Sequence, residues 1–131
     1  MKKLLFVVVT VIGVFFMNAQ ETTIKNVNSI EFKKLIEKKD GIVLDVRTLY
    51  EFEGGHIDNA NQLNYFAFSF RKNVLLLPKY KPIYVYCRSG YRSKKAAKIL
   101  IKNGYNNVYN LENGILEWEG NNLPIEKETS N

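Results

Sequence analysis

The sequence predicts an α/β fold in which a mostly parallel β-sheet is covered by helices on both faces. Short runs rich in β-branched and aromatic residues alternate along the chain with stretches whose apolar residues recur at helical spacing. Neither an internal repeat nor a low-complexity linker interrupts this alternation. The 131 residues leave room for one domain.

Residues 1–19 have the pattern of a secretory signal peptide, with a basic start, an apolar run at residues 4–16 and a small residue, Ala19, at the expected cleavage point. The alternative is a permanent anchor, but the run is shorter than the roughly 20 residues that span a bilayer. We therefore expect export to a periplasm, with no stable membrane anchor after cleavage. The mature chain would comprise one domain, residues 20–125, and a polar tail, residues 126–131.

The first elements of the domain follow from periodicity and capping signals. Residues 24–27 are predicted to form a short edge strand, and residues 30–38 a helix whose apolar side chains recur with helical spacing. Asn28 precedes this helix as a cap, and Glu31 is placed to close a capping box. A short buried strand is predicted at residues 42–44, after a turn signal.

Two further helices are predicted in the middle of the chain. Thr48 and Glu51 form a second capping-box pattern, which opens a short helix that Gly54 and Gly55 end. The aromatic-rich residues 65–72 are also predicted to be helical.

The clearest strand and helix lie in the second half of the chain. Residues 83–87 are rich in β-branched and aromatic side chains, as strands are. Residues 93–103 place alanine and leucine on one helical face and four lysines on the other, and Gly104 stands at the expected C-cap. Residues 108–111 are predicted to form another strand, and residues 115–118 to start a last short helix.

Charge and metal-ligand content exclude several functional classes. The formal net charge is +6, and the basic residues are scattered rather than gathered in a dense stripe with interleaved aromatics, so no nucleic-acid partner is expected. A mild positive field would still draw a small anion towards a site. His56 is the only histidine, which excludes a His-based metal cluster, and no cofactor is expected.

Cys87 is the only cysteine and the predicted nucleophile. Ligands in parallel sheets bind beyond the carboxyl ends of the strands, where Asp45 and Cys87 both fall. The segment after Cys87 runs straight into a predicted helix, whose start presents unpaired N–H groups and a partial positive charge. The predicted anion-binding ring comprises Arg88, Ser89, Gly90, Tyr91, Arg92 and Ser93.

The ring is predicted to favour the thiolate of Cys87, which is the reactive form. Gly90 is free to take a positive φ and turn the loop amides inwards, and Arg88 and Arg92 add full positive charge. The alternative is that a lone cysteine ending an apolar strand is an inert small hydrophobe. A buried, inert cysteine has no need of this loop, which favours the reactive reading.

Four ordered segments resemble the motifs of rhodanese domains: residues 44–47, 51–52, 55–57 and 86–93. The match continues at Gly104, Tyr105, Val108, Leu111 and Trp118 and covers nearly the whole predicted mature chain. The resemblance implies a three-layer α/β/α fold with a parallel five-stranded sheet. It also implies a persulfide on Cys87, formed from thiosulfate or a similar small anionic donor and passed to a thiol or cyanide acceptor.

The sequence departs from the rhodanese pattern at two places. Asp58-Asn59-Ala60 replaces a usual Pro-Gly-Ala, and Asn113-Gly114 stands where two glycines are common. These differences put the shapes of the two nearby loops in question and leave the ring around Cys87 untouched.

Several polar residues near the predicted site have a structural alternative. Asp45 and Arg47, with Glu51 and His56, could support the active loop or shape its entrance. The preferred interpretation is a buried network of ion pairs and hydrogen bonds that ties loops to the second strand. Trp118 is expected to pack at a core edge.

Two rival functions remain open at this point. Cysteine phosphatases place five residues between the catalytic Cys and Arg, whereas only four separate Cys87 from Arg92, so the ring fits sulfur chemistry better than phosphate. A sulfur carrier that accepts sulfur from a protein partner would use the same loop, and the sequence does not separate carrier from enzyme.

Overall fold

A computed structural model describes residues 23–129 together with Gly13, so the rest of the predicted signal peptide lies outside the described residues. Five parallel strands form one sheet in the order β1-β5-β4-β2-β3. Their bounds are β1 Lys25–Val27, β2 Ile42–Asp45, β3 Asn61–Gln62, β4 Ile83–Tyr86 and β5 Val108–Leu111. The predicted edge strand and the parallel pairing are confirmed.

Helices cover both faces of the sheet. Their bounds are α1 Ser29–Ile36, α2 Leu49–Glu53, α3 Phe70–Val74, α4 Tyr91–Lys102 and α5 Gly114–Gly120. Buried side chains of α3 and α4 pack on one face, around Leu44 and Val85. Those of α1 and α5 pack on the other, around Val43 and Tyr84. The three-layer α/β/α architecture is therefore confirmed.

The helix ends follow the capping signals. Thr48 Oγ1 accepts the Glu51 N–H at 3.3 Å, and Glu51 Oε1 accepts the Thr48 N–H at 3.4 Å, which is the predicted capping box. Asn28 Oδ1 accepts the Glu31 N–H at 2.9 Å at the start of α1, as predicted. The predicted return bond from the Asn28 N–H to the Glu31 side chain is not made, so this capping box is only half formed. The C-cap of α4 is Asn103 rather than the predicted Gly104, which follows it with a φ of +90°.

Two local predictions were wrong, and one strand was not predicted. The predicted helix at residues 65–72 is instead α3, which begins only at Phe70, because the Asn64 side chain accepts the Phe66 N–H at 2.9 Å and sets a turn there. Helix α4 begins at Tyr91, two residues earlier than predicted. Strand β3 was missed because its two residues carry no apolar pattern.

Both departures from the rhodanese pattern lie in well-defined turns that suit the residues present. Asn59, with a φ of +61°, occupies the third position of a turn in which the Ala60 N–H donates to Ile57 O at 3.1 Å. This position of a type II turn favours glycine, and asparagine tolerates it. Asn113 has a φ of −106°, so no glycine is needed there, and Gly114 supplies the positive φ of +66°.

The C-terminal residues return to the domain. Glu126, the first residue of the predicted polar tail, exchanges two backbone hydrogen bonds of 2.8 Å with His56 in an antiparallel bridge. The Trp118 Nε1–H donates to Pro124 O at 2.9 Å in the same region. Within the described part of the chain, no helix is both long and apolar enough to span a membrane.

Candidate active site

Asp45 and Cys87 meet at the carboxyl edge of the sheet, as predicted. Strands β2 and β4 are parallel neighbours, and Asp45 pairs with Tyr86 in register. Cys87 is the next residue after Tyr86, so its side chain leaves the sheet at this edge, on the face that α4 covers. The strand order therefore places the candidate nucleophile where parallel sheets bind ligands.

The Cys87 sulfur lies at the bottom of the loop, with only 1% of the residue exposed. The Gly90 N–H donates to Sγ at 3.1 Å, and Gly90 has the predicted positive φ, +102°. This amide turns towards the sulfur just before α4 starts, so the thiolate would gain both its hydrogen bond and the positive end of the helix dipole.

Backbone N–H groups at the start of α5 donate hydrogen bonds to Cys87 and to the loop of residues 88–93 that follows it, here called the active loop. The sequence did not predict this support. The Ile115 N–H donates to Cys87 O at 2.9 Å, and the Leu116 N–H donates to Arg88 O at 3.2 Å. Gly114 lies so close to the loop that a Cβ there would be 2.2 Å from Arg88 O. The glycine after β5 was the available signal, because a positive φ and a close backbone approach both require it.

Arg92 makes an ion pair that sequence reasoning did not predict. Its Nη1 and Nη2 donate to Glu51 Oε1 and Oε2 at 2.8 and 2.9 Å, and its guanidinium lies 5.3 Å from the Phe66 ring centroid. The Glu51 carboxylate therefore balances much of the positive charge that Arg92 was predicted to add to the ring. The pair fastens the start of α4 to α2, which makes Glu51 and Arg92 positioning residues for the loop.

Replacing Glu51 with glutamine is expected to lower the free energy of unfolding at pH 7 by about 1–2 kcal/mol. The Arg92 guanidinium, followed by hydrogen bonds at Thr48, lowers the pKa of Glu51 from 4.5 to about 2. Because the pKa of Glu51 is lower in the folded chain than in the unfolded chain, the ion pair contributes its full stabilisation above about pH 4.5. That stabilisation is lost as the pH falls from about 4.5 to about 2. Urea unfolding at several pH values measures the difference between the two chains. A gap that is unchanged between pH 7 and pH 2.5 would contradict this role.

The other ring residues divide into exposed and buried groups. Arg88, Ser89 and Tyr91 are exposed at the mouth of the site. Ser93 is fully buried, and its Oγ–H donates to Gly90 O at 3.2 Å, which steadies the turn. The exposed side chains are therefore the ones free to meet a substrate, and Ser93 acts on the loop itself.

Asp45 and Arg47 form a buried ion pair beside the loop. Arg47 Nη2 lies 2.7 Å from Asp45 Oδ2 and also donates to Gly55 O at 2.7 Å, and its Nε donates to Asp45 Oδ1 at 3.0 Å. Burial, and then the nearby Asp45 carboxylate, raise the pKa of Tyr86. The pair ties β2 to the turn after α2, which agrees with the structural interpretation.

His56 and Trp118 have structural partners rather than the sulfur. The His56 ring stacks on Phe52 at 3.8 Å, with Nδ1 3.0 Å from Phe52 O. Trp118 is 2% exposed and packs edge-on against Phe32, as a core residue. Residues 23–129 contain no group of three or more His, Cys, Asp or Glu side chains that could hold a metal ion.

The arrangement suits attack by a thiolate on an electrophilic sulfur. A hydrogen bond from Gly90 and the start of α4 favour negative charge on Cys87 Sγ. Arg88, on the loop that follows Cys87, also lines an open cleft of about 440 Å³, whose walls include the carboxylates of Glu51, Glu53 and Glu119. Arg88 is the group of this cleft wall that would attract a small anion.

A model of the rhodanese-like domain matches residues 29–121 of the chain. A sulfurtransferase of Allochromatium vinosum is 37% identical over 93 residues, which cover 71% of this chain and 85% of the relative. An uncharacterized protein, YqhL of Bacillus subtilis, is 38% identical over 77% of each chain.

Solved structures resemble the fold as well. A rhodanese-related protein from Thermoplasma volcanium superimposes with a TM-score of 0.71 at 30% identity, over 79% of this chain and 99% of that one. The polysulfide-sulfur transferase homodimer from Wolinella succinogenes gives a TM-score of 0.67 at 25% identity, over 81% and 80% of the two chains.

Proposed function

The chain belongs to the rhodanese-like domain family, whose members include sulfurtransferases, and we propose that it moves a sulfane sulfur from thiosulfate or a similar donor to a thiophilic acceptor through a persulfide on Cys87. The observation that carries the proposal is the Gly90 N–H, which points at Cys87 Sγ at the start of α4. An inert core cysteine would not require a glycine at φ +102° to aim an amide at its sulfur.

The reaction proceeds in two displacements that share one nucleophile. The Cys87 thiolate attacks the outer sulfur of thiosulfate, the S–S bond of the donor breaks, and sulfite leaves with the bonding electron pair. The thiolate of an acceptor, or cyanide, then attacks the outer sulfur of the persulfide, and Cys87 leaves as a thiolate. Each step is a nucleophilic displacement at sulfur, in which one bond forms as another breaks, and it needs neither a metal nor an organic cofactor.

The loop stabilises charge on both sides of the transfer. In the first step negative charge moves from Cys87 to the departing sulfite, and in the second it returns to Cys87. The Gly90 amide favours the charged sulfur, while Arg88, exposed at the mouth, favours the anionic donor. The Glu51–Arg92 pair and the α5 amides keep the loop in this shape.

The phosphatase alternative loses further support. In addition to the shorter ring, both guanidinium nitrogens Nη1 and Nη2 of Arg92 are engaged by the carboxylate oxygens of Glu51, which leaves them less free to bind a phosphate. A protein that turned over an aryl phosphate at a substantial rate through Cys87 would contradict the sulfurtransferase proposal.

A persulfide measured by intact mass tests the proposal directly. After incubation with thiosulfate and desalting, the chain is expected to gain the mass of one sulfur atom, mapped to Cys87, and to lose it on addition of cyanide. A carrier that takes sulfur only from a protein donor would show no gain from thiosulfate but a gain from a persulfidated protein.

We further propose that this chemistry operates after export to a periplasm, with residues 1–19 removed. The N-terminal sequence of the exported protein, recovered from its host, tests this cleavage.

A further inference from the structure

Half of the fold carries no acidic side chain. Between residues 59 and 111 the chain has ten Lys and Arg residues and no Asp or Glu, so all 13 acidic residues lie outside this segment. The segment contains α3, the active loop and α4. The face of the domain that covers Cys87 is therefore strongly basic, although the net charge of the whole chain is modest.

These basic groups are open to solvent. Nine of the ten are exposed, and within the described residues only Arg92 has an acidic partner, Glu51. Helix α4 begins at Tyr91, so Lys94 and Lys95 lie in its first two turns and follow the active loop directly along the chain. Unpaired charge around a mouth attracts an oppositely charged partner over a Debye length.

Large aromatic side chains of the same segment are also exposed. Phe68 is fully exposed, and Phe66 and Tyr91 are 67% and 68% exposed. Phe66 lies beside Arg92, and Tyr91 follows Gly90 in the loop, with Lys95 Nζ 4.9 Å from its ring centroid. Aromatic side chains exposed together on a monomer mark an interaction surface, since aromatic and arginine side chains are the ones that interfaces use.

We propose that the physiological sulfur acceptor is an acidic, cysteine-bearing protein segment that docks on a patch comprising Phe66, Phe68, Arg88, Tyr91, Lys94 and Lys95. The inference rests on the proposed function, because it assigns the partner of the second displacement. The acceptor thiolate attacks the outer sulfur of the Cys87 persulfide, forms the new S–S bond and releases Cys87 as a thiolate. Acidic side chains that flank the acceptor cysteine pair with the lysines, while the aromatic rings cover the flanking backbone.

The depth of the sulfur favours a protein over a free small thiol. Because Cys87 is only 1% exposed, an acceptor must bring its thiol past the exposed residues of the loop to reach the sulfur. The aromatic and basic groups stand outside the mouth of the site, where a small molecule at the sulfur would not reach them. A polypeptide that presents one cysteine would contact both regions at once.

The test compares two cysteine peptides of equal length, one with acidic and one with basic flanking residues, as acceptors for the persulfidated chain. Single-turnover transfer to the acidic peptide is expected to be at least about 10-fold faster at low salt, and this advantage should shrink at high salt. The Lys94→Glu/Lys95→Glu chain should lose the preference while transferring sulfur to uncharged dithiothreitol within about twofold of the parent rate.

The basic and aromatic parts each have a matched control at the opposite edge of the sheet. Lys79→Glu/Lys81→Glu makes the same charge change just before β4 and should leave the peptide preference intact. Phe66→Ser/Phe68→Ser should slow transfer to the acidic peptide about 10-fold. Tyr80→Ser, which removes an exposed aromatic ring outside the patch, should leave that rate unchanged. Equal rates for the two peptides, or equal effects of patch and control substitutions, would overturn the inference.

Binding to a Cys87→Ser chain separates this inference from the function itself. The labelled acidic peptide, read by fluorescence anisotropy, should bind more tightly than the basic peptide, and Lys94→Glu/Lys95→Glu should remove the difference. If no persulfide ever forms, the proposed function fails while this result still decides the docking patch. Tighter binding of a single-stranded RNA oligonucleotide than of the acidic peptide would assign the patch to nucleic acid and overturn the protein acceptor.

Discussion

Replacing Cys87 with serine is expected to abolish sulfur transfer, with a fall of at least about 1000-fold in the rate of thiocyanate formation from thiosulfate and cyanide. The two displacements share this one sulfur atom, and the chain has no second cysteine that could take its place. A serine hydroxyl is a poor nucleophile towards sulfane sulfur and forms no persulfide. Intact mass should therefore show no added sulfur after incubation with thiosulfate.

The same substitution should leave the fold intact, which makes loss of activity interpretable. Serine is nearly isosteric with cysteine, and its Oγ can still accept the Gly90 N–H. The thermal unfolding midpoint of the variant is the control. Persistent turnover by a folded Cys87→Ser chain would show that another group carries the reaction, and the persulfide proposal would then be wrong.

The parts of the fold that sequence reasoning found are those with strong local signals. The β-branched and aromatic pattern at residues 83–86 predicted strand β4, and the apolar and basic faces of the next segment predicted helix α4. Because β2 and β4 are parallel, Asp45 and Cys87 then lie at the same edge of the sheet. Capping is equally local, since Thr48 and Glu51 are only three residues apart. These predictions needed no knowledge of distant contacts.

The parts that it missed depend on contacts between residues far apart in the chain. Glu51 and Arg92 are separated by 41 residues, and no local pattern shows that they pair. The α5 amides that hold Cys87 O and Arg88 O come from a helix that was predicted only as a core element. The positive φ of Gly90, by contrast, was predicted correctly because it follows from the loop itself.

The mixed environment of Cys87 also lay beyond the sequence. The sequence predicted a reactive thiol inside the ring, and in the structure Cys87 is only 1% exposed, with one amide N–H, from Gly90, donating to its sulfur. The buried face of α4 packs in the same core cluster as Cys87, and the loop after β5, more than 20 residues further along the chain, closes against Gly90. The burial of Cys87, rather than the reactivity of its thiol, therefore limits which acceptors can reach the sulfur.

Replacing Gly90 with alanine is expected to lower the free energy of unfolding by at least about 2–3 kcal/mol and the rate of persulfide formation by at least about 100-fold. A residue with a Cβ pays about 1–2 kcal/mol to take a left-handed conformation, and Gly90 has a φ of +102°. The added Cβ would also lie 1.9 Å from Glu112 O, so the loop after β5 and the active loop must move apart. Urea unfolding and the rate of mass gain with thiosulfate measure the two effects.

Gly120 provides the matched control, because a Cβ there would meet no atom within 4 Å and its φ is not positive. Gly120→Ala at the end of α5 should leave activity unchanged and stabilise the chain by up to about 1 kcal/mol. Comparing the two variants separates the effect on stability from the effect on the reactivity of Cys87. A Gly90→Ala chain that is destabilised but forms its persulfide at the normal rate would show that the Gly90 N–H shapes the loop without activating the sulfur. Loss of the rate at a temperature where the variant remains folded would instead place the activation of Cys87 in that single amide and the backbone geometry that aims it.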